Sequence, residues 1–394
     1  MVSSATVVVG YGEIGIKSAS VRTKLLDRLA VNLDAVLADR GLDATVERTW
    51  SRLYLHGPTA ELDRRARAAA ETPGVVWARP ARQREPTLDS IAEALRTAAN
   101  HARDETFAIR GERAGPTDAH PFTSADIERV GGDAVLDAVG GTVDLDDPDH
   151  CYRVDCREAR ALVSAVQYDG PGGFPVGSQG TVVALVSGGI DSPVAAWQLL
   201  RRGCGVVPLY VDIGAYGGAD HRARAAETVR GLRRRAPNAD VRLRVVPGGP
   251  VVERLVREVG DTRMLSLRRA MLRMAEVVAE TEGAHAVATG ESVGQKSSQT
   301  GPNLAVTAAA VDCPVYRPLL TWDKDDIVAC ARDIGTFDDA TLPVGCERVA
   351  PSHPETAAAR AAVRAAEPDD LLDRAAAAAR EATVAEEEPG SDET

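Results

Sequence analysis

Lysine is nearly missing from this chain of 394 residues: only Lys17, Lys24, Lys296 and Lys324 among its 46 basic residues are lysines. Long apolar runs are missing too. None approaches the roughly 20 residues that a membrane span needs, and the N-terminus reads as a strand rather than a signal peptide. The expectation is a cytoplasmic protein with no membrane partner. No CxxC pair occurs, which excludes a zinc ribbon and a thioredoxin motif. The six cysteines (Cys151, Cys156, Cys204, Cys313, Cys330 and Cys346) are scattered, and in the cytosol they are expected to be reduced and mostly small core residues. Cys204 and Cys330 in particular sit in apolar surroundings and read as packing residues.

The net charge is −12, unevenly spread. Residues 1–170 carry 21 basic and 27 acidic groups, residues 171–357 carry 21 of each, and residues 358–394 carry 4 and 10. Half the excess therefore lies in the last segment. An acidic, lysine-poor chain rich in Arg and Ala reads as a salt-adapted protein. In such a protein overall acidity does not exclude a nucleic-acid partner, and local arginine clusters decide instead.

Hydrophobic content of 44% is enough for a sizeable core in two or three domains. The spacing predicts a strand at 5–9, a helix over 21–37, strands at 45–47 and 52–56 and a helix at 60–70, the start of a ferredoxin-like α+β unit. Helices over 87–101 and 124–139, with strands at 106–110, 142–145, 150–156 and 161–168, predict a second α/β block. The clearest boundary is YDGPGGFPVGSQG, Tyr168–Gly180, with five glycines and two prolines. Beyond it strands (182–186, 206–211, 241–246, 285–289) alternate with helices (192–202, 221–235, 250–258, 264–282), which predicts a doubly wound parallel sheet. The Ala-rich stretch past Pro354 reads as helical in part and then, in EEEPGSDET, as disordered. RGLRRRAPN, residues 230–238, reads as a charged helix end.

The chemistry is concentrated in TVVALVSGGIDSPVAAW, Thr181–Trp197. A Gly-rich turn between a strand and its helix sets backbone N–H groups around an anion at the positive end of the helix dipole. This is not a Walker A loop, which needs a lysine after its last glycine; here Asp191 follows. A carboxylate beside a phosphate cradle is suited to holding Mg²⁺.

SGGxDS after an apolar strand resembles the PP-loop ATP pyrophosphatases, which cleave ATP between the α- and β-phosphates and leave an adenylated substrate. Four further stretches narrow the resemblance: RMLSLRRAMLRMAE (263–276), ATGESVGQKSSQT (288–300), CPVYRPLLTWDKDDIVACARDIGT (313–336) and LPVGCERVAPSHPET (342–356). In order and spacing they resemble the tRNA 4-thiouridine synthase family, ThiI. GYGEIGIKS resembles that family's opening, and FAIRGERAGPTDAHPFTSADIERVGG resembles its THUMP RNA-binding domain.

The resemblance covers roughly residues 7 to 356. It implies an α/β chain of three parts: a ferredoxin-like α+β domain (1–60), a THUMP domain (61–168) and, after a linker (169–180), a doubly wound parallel-sheet PP-loop domain of the adenine nucleotide alpha hydrolase type (181–356). An Ala-rich and acidic tail, partly disordered, follows (357–394). Carried onto this chain, the nucleotide site falls on Leu185, Val186, Ser187, Gly188, Gly189, Asp191 and Ser192, then Tyr210, Val211, Arg268, Gly290 and Gln299. ATP and Mg²⁺ are the implied cofactors, with Asp191 as the metal residue. The sulfur-carrying cysteine falls on Cys346. RNA contacts are expected from Arg82, Arg84, Arg110, Arg113 and His120, since arginines on phosphates position an RNA by shape.

The implied activity is ATP-dependent sulfur transfer to tRNA: uridine 8 is adenylated on O4, and a persulfide on Cys346 replaces that oxygen to give 4-thiouridine. The partners are then tRNA and a sulfur donor, whether sulfide, a separate carrier or a cysteine desulfurase; a homodimer is left open. Many bacterial members carry a rhodanese domain, for which this sequence leaves no room after Thr356, and the family's linked role in sulfur transfer for thiamine thiazole synthesis is tied to it. An iron–sulfur cluster, known in some archaeal relatives, is not expected without a CxxC pair; only Cys313 and Cys330 remain to join Cys346. Two rivals stand beside this reading. A PP-loop amidotransferase or ligase acting on a small molecule would have no use for Cys346 or a THUMP-like block. An RNA-binding module with a degenerate nucleotide fold would have no use for an intact SGGIDS.

Overall fold

The computed structural model describes residues 5–100, 104–116, 119–217, 219–337 and 348–385, and the chain divides into two compact units at Phe174/Pro175. Cys346 lies outside the described residues.

The first unit is built on one mixed sheet: β1 (Ala5–Gly10), β2 (Thr45–Arg48), β3 (Leu53–His56), β4 (Trp77–Arg84), β5 (Thr106–Arg113), β6 (Thr142–Val143), β7 (His150–Arg157), β8 (Arg160–Ser164) and β9 (Tyr168–Asp169). The spatial order is β2-β3-β1-β4-β8-β7-β5-β6, with β9 also paired to β4. Helices α1 (Ala19–Asp39) and α2 (Leu62–Ala70) bury Leu29, Leu33, Ala66 and Ala69 against Val7, Val9, Leu53 and Leu55. Helices α3 (Leu88–Ala99) and α4 (Ser124–Val139) bury Ile91, Leu95, Ile127 and Val135 against Ile109, Val154 and Val163. The start of α4 is fixed by a capping box between Thr123 and Asp126, which satisfies two otherwise orphaned N–H groups.

Periodicity predicts no strand at 77–84. Yet β4 pairs antiparallel with β1 on one side and with β8 on the other, and so makes the sheet continuous. Its sequence, WARPARQR, has a proline in the middle and three arginines, which hides the alternation that normally reveals a strand.

The second unit holds β10 (Thr181–Leu185), β11 (Gly205–Asp212), β12 (Arg244–Pro247), β13 (Ala286–Ala288), β14 (Val315–Tyr316) and β15 (Thr383–Val384), in the order β14-β13-β10-β11-β12-β15. All neighbours are parallel except β12 and β15. One face is covered by α5 (Asp191–Arg201), α6 (Ala219–Arg233) and α10 (Lys324–Asp333), which contribute Val194, Trp197, Val229 and Ile327 to a core with Val182 and Val206. The other is covered by α7 (Gly249–Glu258), α8 (Arg263–Glu282) and α12 (Leu371–Arg380), packed on Val183, Leu209 and Val287. Two shorter helices, α9 (Gly301–Ala308) and α11 (Arg360–Ala366), flank α8 through Leu265, Val306 and Val363. This is the doubly wound sheet that alternation predicts. The strand order reverses between β10 and β13, and the crevice beyond those strand ends is where such folds place a ligand.

The Ala-rich stretch, set apart by composition as a partly disordered tail, packs into this unit as far as residue 385. Leu371, Ala375, Ala376 and Ala379 form one buried face of α12 against α8, and Arg269 of α8 bonds Glu367 at 2.8 Å with both side chains buried. Alanine gives little hydropathy signal but allows close helix approach. Truncating Leu371, which is 2% exposed, to alanine is expected to cost about 2–5 kcal/mol. Denaturant unfolding followed by tryptophan fluorescence should show the second unit's transition shifting while the first unit's stays in place.

Candidate nucleotide and RNA sites

A cavity of about 310 Å³ opens at the strand-order reversal of the second unit. It is lined by all twelve residues assigned to the nucleotide: Leu185, Val186, Ser187, Gly188, Gly189, Asp191, Ser192, Tyr210, Val211, Arg268, Gly290 and Gln299. They come from the ends of β10 and β11, the turn into α5 and its first residues, the second turn of α8 and the loop after β13.

Local chemistry shapes the phosphate end. The Ser187 N–H donates to Ser192 Oγ at 2.9 Å, and the Gly189 N–H donates to Ser187 Oγ at 3.3 Å, so the turn is wrapped by its own serines. The N-terminus of α5 opens on the cavity with its positive dipole end, a ready anion site. The closest constraint is Gly290. A Cβ there would stand 2.8 Å from the carbonyl carbon of Asp191 and from the Ser192 nitrogen, so only glycine lets the loop after β13 pass the start of α5. Gly188 does not work this way: a Cβ there would meet Arg224 at an ordinary 3.4 Å. Its missing side chain leaves the turn open rather than relieving a clash.

Charge is arranged in pairs. Asp191 accepts from Lys324 Nζ at 2.6 Å. Arg268 Nη1 bonds Glu291 Oε1 at 2.6 Å, and Arg317 Nε bonds Glu291 Oε2 at 2.8 Å. Burial pushes the Glu291 carboxyl up, but the two guanidinium groups and the Thr289 hydroxyl outweigh it and hold the group below its ordinary range. Around Arg268 the α8 lining is apolar, with Met264, Leu267 and Met271 facing the cavity, a surface suited to a flat heterocycle. The sequence reading missed Glu291, Lys296, Arg317, Lys324 and these methionines. Lys296 and Lys324 are the lysines of this unit, and their survival in an arginine-dominated chain was the available signal.

For Mg²⁺ this mouth would offer one carboxylate among the described residues, Asp191, since Glu291 is locked between two arginines. No cluster of three or more metal-ligating side chains occurs among the described residues. One protein carboxylate completed by phosphate oxygens is the usual way Mg²⁺ is held, so the donor set fits an ion that arrives with a nucleotide. The cysteines of this unit that are described behave as packing residues. Burial raises the thiols of Cys204 and Cys330, and burial together with Glu276 pushes Cys313 up to about 11.

The five residues assigned to RNA are not gathered on one face of the first unit. Arg82 and Arg84 stand opposite Val163 and Ala161, on the side of the sheet that carries the helices. Arg113 stands opposite Cys156 on that side too and donates to Pro116 O at 2.7 Å. His120 is turned inward, 5% exposed, stacked on Phe122 and hydrogen-bonded to Arg157 O at 3.1 Å.

Arg110 lies on the other side, opposite Arg153. That helix-free side carries Arg52, Arg79, Arg110, Arg153, Arg157 and Arg160 against the carboxylates Glu47, Glu112 and Asp155. Arg79 lies 3.7 Å from the Trp77 ring centroid and Arg160 lies 4.3 Å from that of Tyr54. Burial first, and then the neighbouring Arg153 and Arg52, push the Arg79 guanidinium down to about 10. With Asp169 opposite Trp77 as a fourth carboxylate, six arginines against four carboxylates among the described residues still leave this face positive on an acidic chain. Alternation within β7 and β8 was the sequence signal for it.

Replacing Gly290 with alanine is expected to destabilise the protein by about 1–3 kcal/mol, the usual cost of forcing atoms into a packed site. ATP affinity should fall in the same variant, because the start of α5 must move. Denaturant unfolding and calorimetric titration with ATP read the two effects.

Known proteins agree with this picture. The family described as thiamine biosynthesis protein (ThiI) matches residues 177–371, the THUMP domain family matches 83–166, and the ThiI ferredoxin-like domain family matches 6–78. A probable tRNA sulfurtransferase of Halobacterium salinarum is 52% identical over 379 residues, 95% of each chain. One from Methanosarcina acetivorans is 36% identical over 361 residues, covering 89% of this chain and 86% of the relative. A crystal structure of a 4-thiouridine synthetase–RNA complex with bound ATP matches with a TM-score of 0.82 at 26% identity, covering 97% of this chain and 99% of that one. Strand order, cavity and kinship converge, and the chain belongs to the tRNA sulfurtransferase family, ThiI.

Proposed function

We propose that this tRNA sulfurtransferase adenylates O4 of uridine 8 and then replaces that oxygen with sulfur carried by Cys346. The observation that carries the reading is the meeting of the SGGIDS turn, Asp191, Arg268 and Gly290 in one cavity at the strand-order reversal. That cavity offers what cleavage of ATP between its α- and β-phosphates requires. Ser187, Gly188 and Gly189 steady the polyphosphate at the dipole end of α5, and Arg268 offsets charge on its oxygens. Asp191 would hold Mg²⁺, which when bound neutralises the phosphate charge during displacement. The apolar α8 wall takes the adenine.

The uridine O4 attacks the α-phosphorus and pyrophosphate leaves, which turns a poor leaving oxygen into a good one. The terminal sulfur of a Cys346 persulfide then attacks C4 and displaces AMP. An external thiol attacks Cys346 Sγ, frees 4-thiouridine and stays on Cys346 as a mixed disulfide. Sulfide that displaces this thiol restores the persulfide directly, whereas a second thiol must first release the Cys346 thiolate before a persulfide-bearing carrier or cysteine desulfurase passes on its outer sulfur. The domain limits 1–60, 61–168 and 181–356 remain our assignment of these tasks, with the first two serving RNA. The positive sheet face, on which Arg110 of β5 stands beside Arg153 of β7, is the RNA-contacting surface in this reading; Arg82 and Arg84 at the other side add phosphate contacts.

Exchanging Cys346 for serine should leave tRNA-dependent pyrophosphate release intact and abolish 4-thiouridine in nucleoside mass analysis. Thiolation that persists in this variant removes the assigned role. Replacing both Arg110 and Arg153 with glutamine should weaken tRNA binding and lower the salt slope by about two, near one counterion per lost phosphate contact. Filter binding across a salt series measures it.

A further inference from the structure

Glu291 is buried in an anion-binding cavity, where a carboxylate would ordinarily be unwelcome. It is 3% exposed, and its two oxygens face two different arginines, Arg268 at 2.6 Å and Arg317 at 2.8 Å, with the Thr289 hydroxyl donating to the second oxygen at 2.9 Å. Arg268 is held from two more directions. Its Nε donates to Ser298 Oγ at 3.0 Å, and its Nη2 donates to the Gln299 amide oxygen at 3.2 Å, in the amide orientation that also lets Gln299 donate to Ser292 O at 2.9 Å.

A guanidinium has five N–H donors in one rigid plane. Three of those on Arg268 are engaged by Glu291, Ser298 and Gln299 among the described residues, which fixes the plane and leaves two for a ligand. All three anchors and Thr289 come from residues 289–299, the loop after β13 that also carries Gly290 against α5. The charge is set by the same arrangement: two arginines and one carboxylate leave a net single positive charge at this wall. Without Arg317, the Glu291 charge would cancel Arg268 and the wall would be neutral toward phosphate.

We propose that Glu291 is a positioning residue that aims the Arg268 guanidinium at the nucleotide's phosphates, with Arg317 as the countercharge that keeps this wall cationic. The proposal rests on the nucleotide reading of the cavity and adds a role that acts only through the phosphate-bearing part of the ligand. Arg268 touches the nucleotide; Glu291 acts through Arg268.

The test compares Glu291→Gln with the unaltered protein by calorimetric titration with ATP, a non-hydrolysable ATP analogue and adenosine. Glutamine keeps the shape and removes the charge, so the affinity for both triphosphates is expected to fall about tenfold, the order of one charge-assisted hydrogen bond. The affinity for adenosine, which has no phosphate, is expected to stay unchanged. In the double variant Glu291→Gln/Arg268→Gln, the triphosphate loss should equal that of Arg268→Gln alone.

Equal weakening of adenosine and ATP would reduce Glu291 to a structural residue, and unchanged ATP affinity would overturn the proposal while leaving the nucleotide reading intact. Unaltered protein that fails to bind ATP overturns both. Should Glu291→Gln fail to fold, Glu291→Gln/Arg317→Gln removes charge and countercharge together. It must show the same split between ATP and adenosine for the proposal to stand.

Discussion

Everything in the second unit's crevice depends on one close approach: the backbone at Gly290 passing the backbone at Asp191 and Ser192. β10 and β13 are parallel neighbours, and the chain leaves them toward α5 and toward the loop 289–299 respectively. A parallel pair whose connections part in this way leaves a gap beyond the strand ends. Gly290 brings the two walls of that gap within backbone contact, so the serine-wrapped turn and the loop that anchors Arg268 can act on the same group. The phosphate cradle and its cationic counterpart are thus two products of one steric condition.

Charge in the crevice is managed by pairing rather than by excess. Lys324 meets Asp191, and Glu291 is divided between Arg268 and Arg317. Such pairs contribute little net stability when buried, because desolvation offsets attraction. What they supply is orientation. The first unit uses a related device on its helix-free side, where Trp77 and Tyr54 support guanidinium groups from below and carboxylates hold them laterally, with cations left in surplus.

The parts of this architecture that are local in sequence could be read from it. The strands at 181–185 and 205–212 and the helices at 191–201 and 263–282 fall within one residue of the positions that periodicity gave. SGGIDS is a contiguous signal and points to its chemistry unaided. Arg268 is different: as one arginine among several on α8 it has no distinguishing local feature, and only the family resemblance selected it. Glu291 escaped because its partners lie 23 and 26 residues away in opposite directions along the chain. β4 escaped because Pro80 and its arginines break the alternation. The polarity of His120 suggests a surface position, whereas stacking on Phe122 and a backbone acceptor satisfy it inside.

The short antiparallel pairing of Thr383–Val384 with Val245 and Arg244 has a further meaning. Parallel sheets end in strands whose outward N–H and C=O groups are adhesive, and a bare border invites other chains to zip onto it. Here the chain folds back to occupy that border itself, after α12 has been anchored on α8. The late, alanine-rich stretch therefore serves as a selvedge, replacing the border of β12 by a strand only two residues long that gives crowded neighbours little to grip.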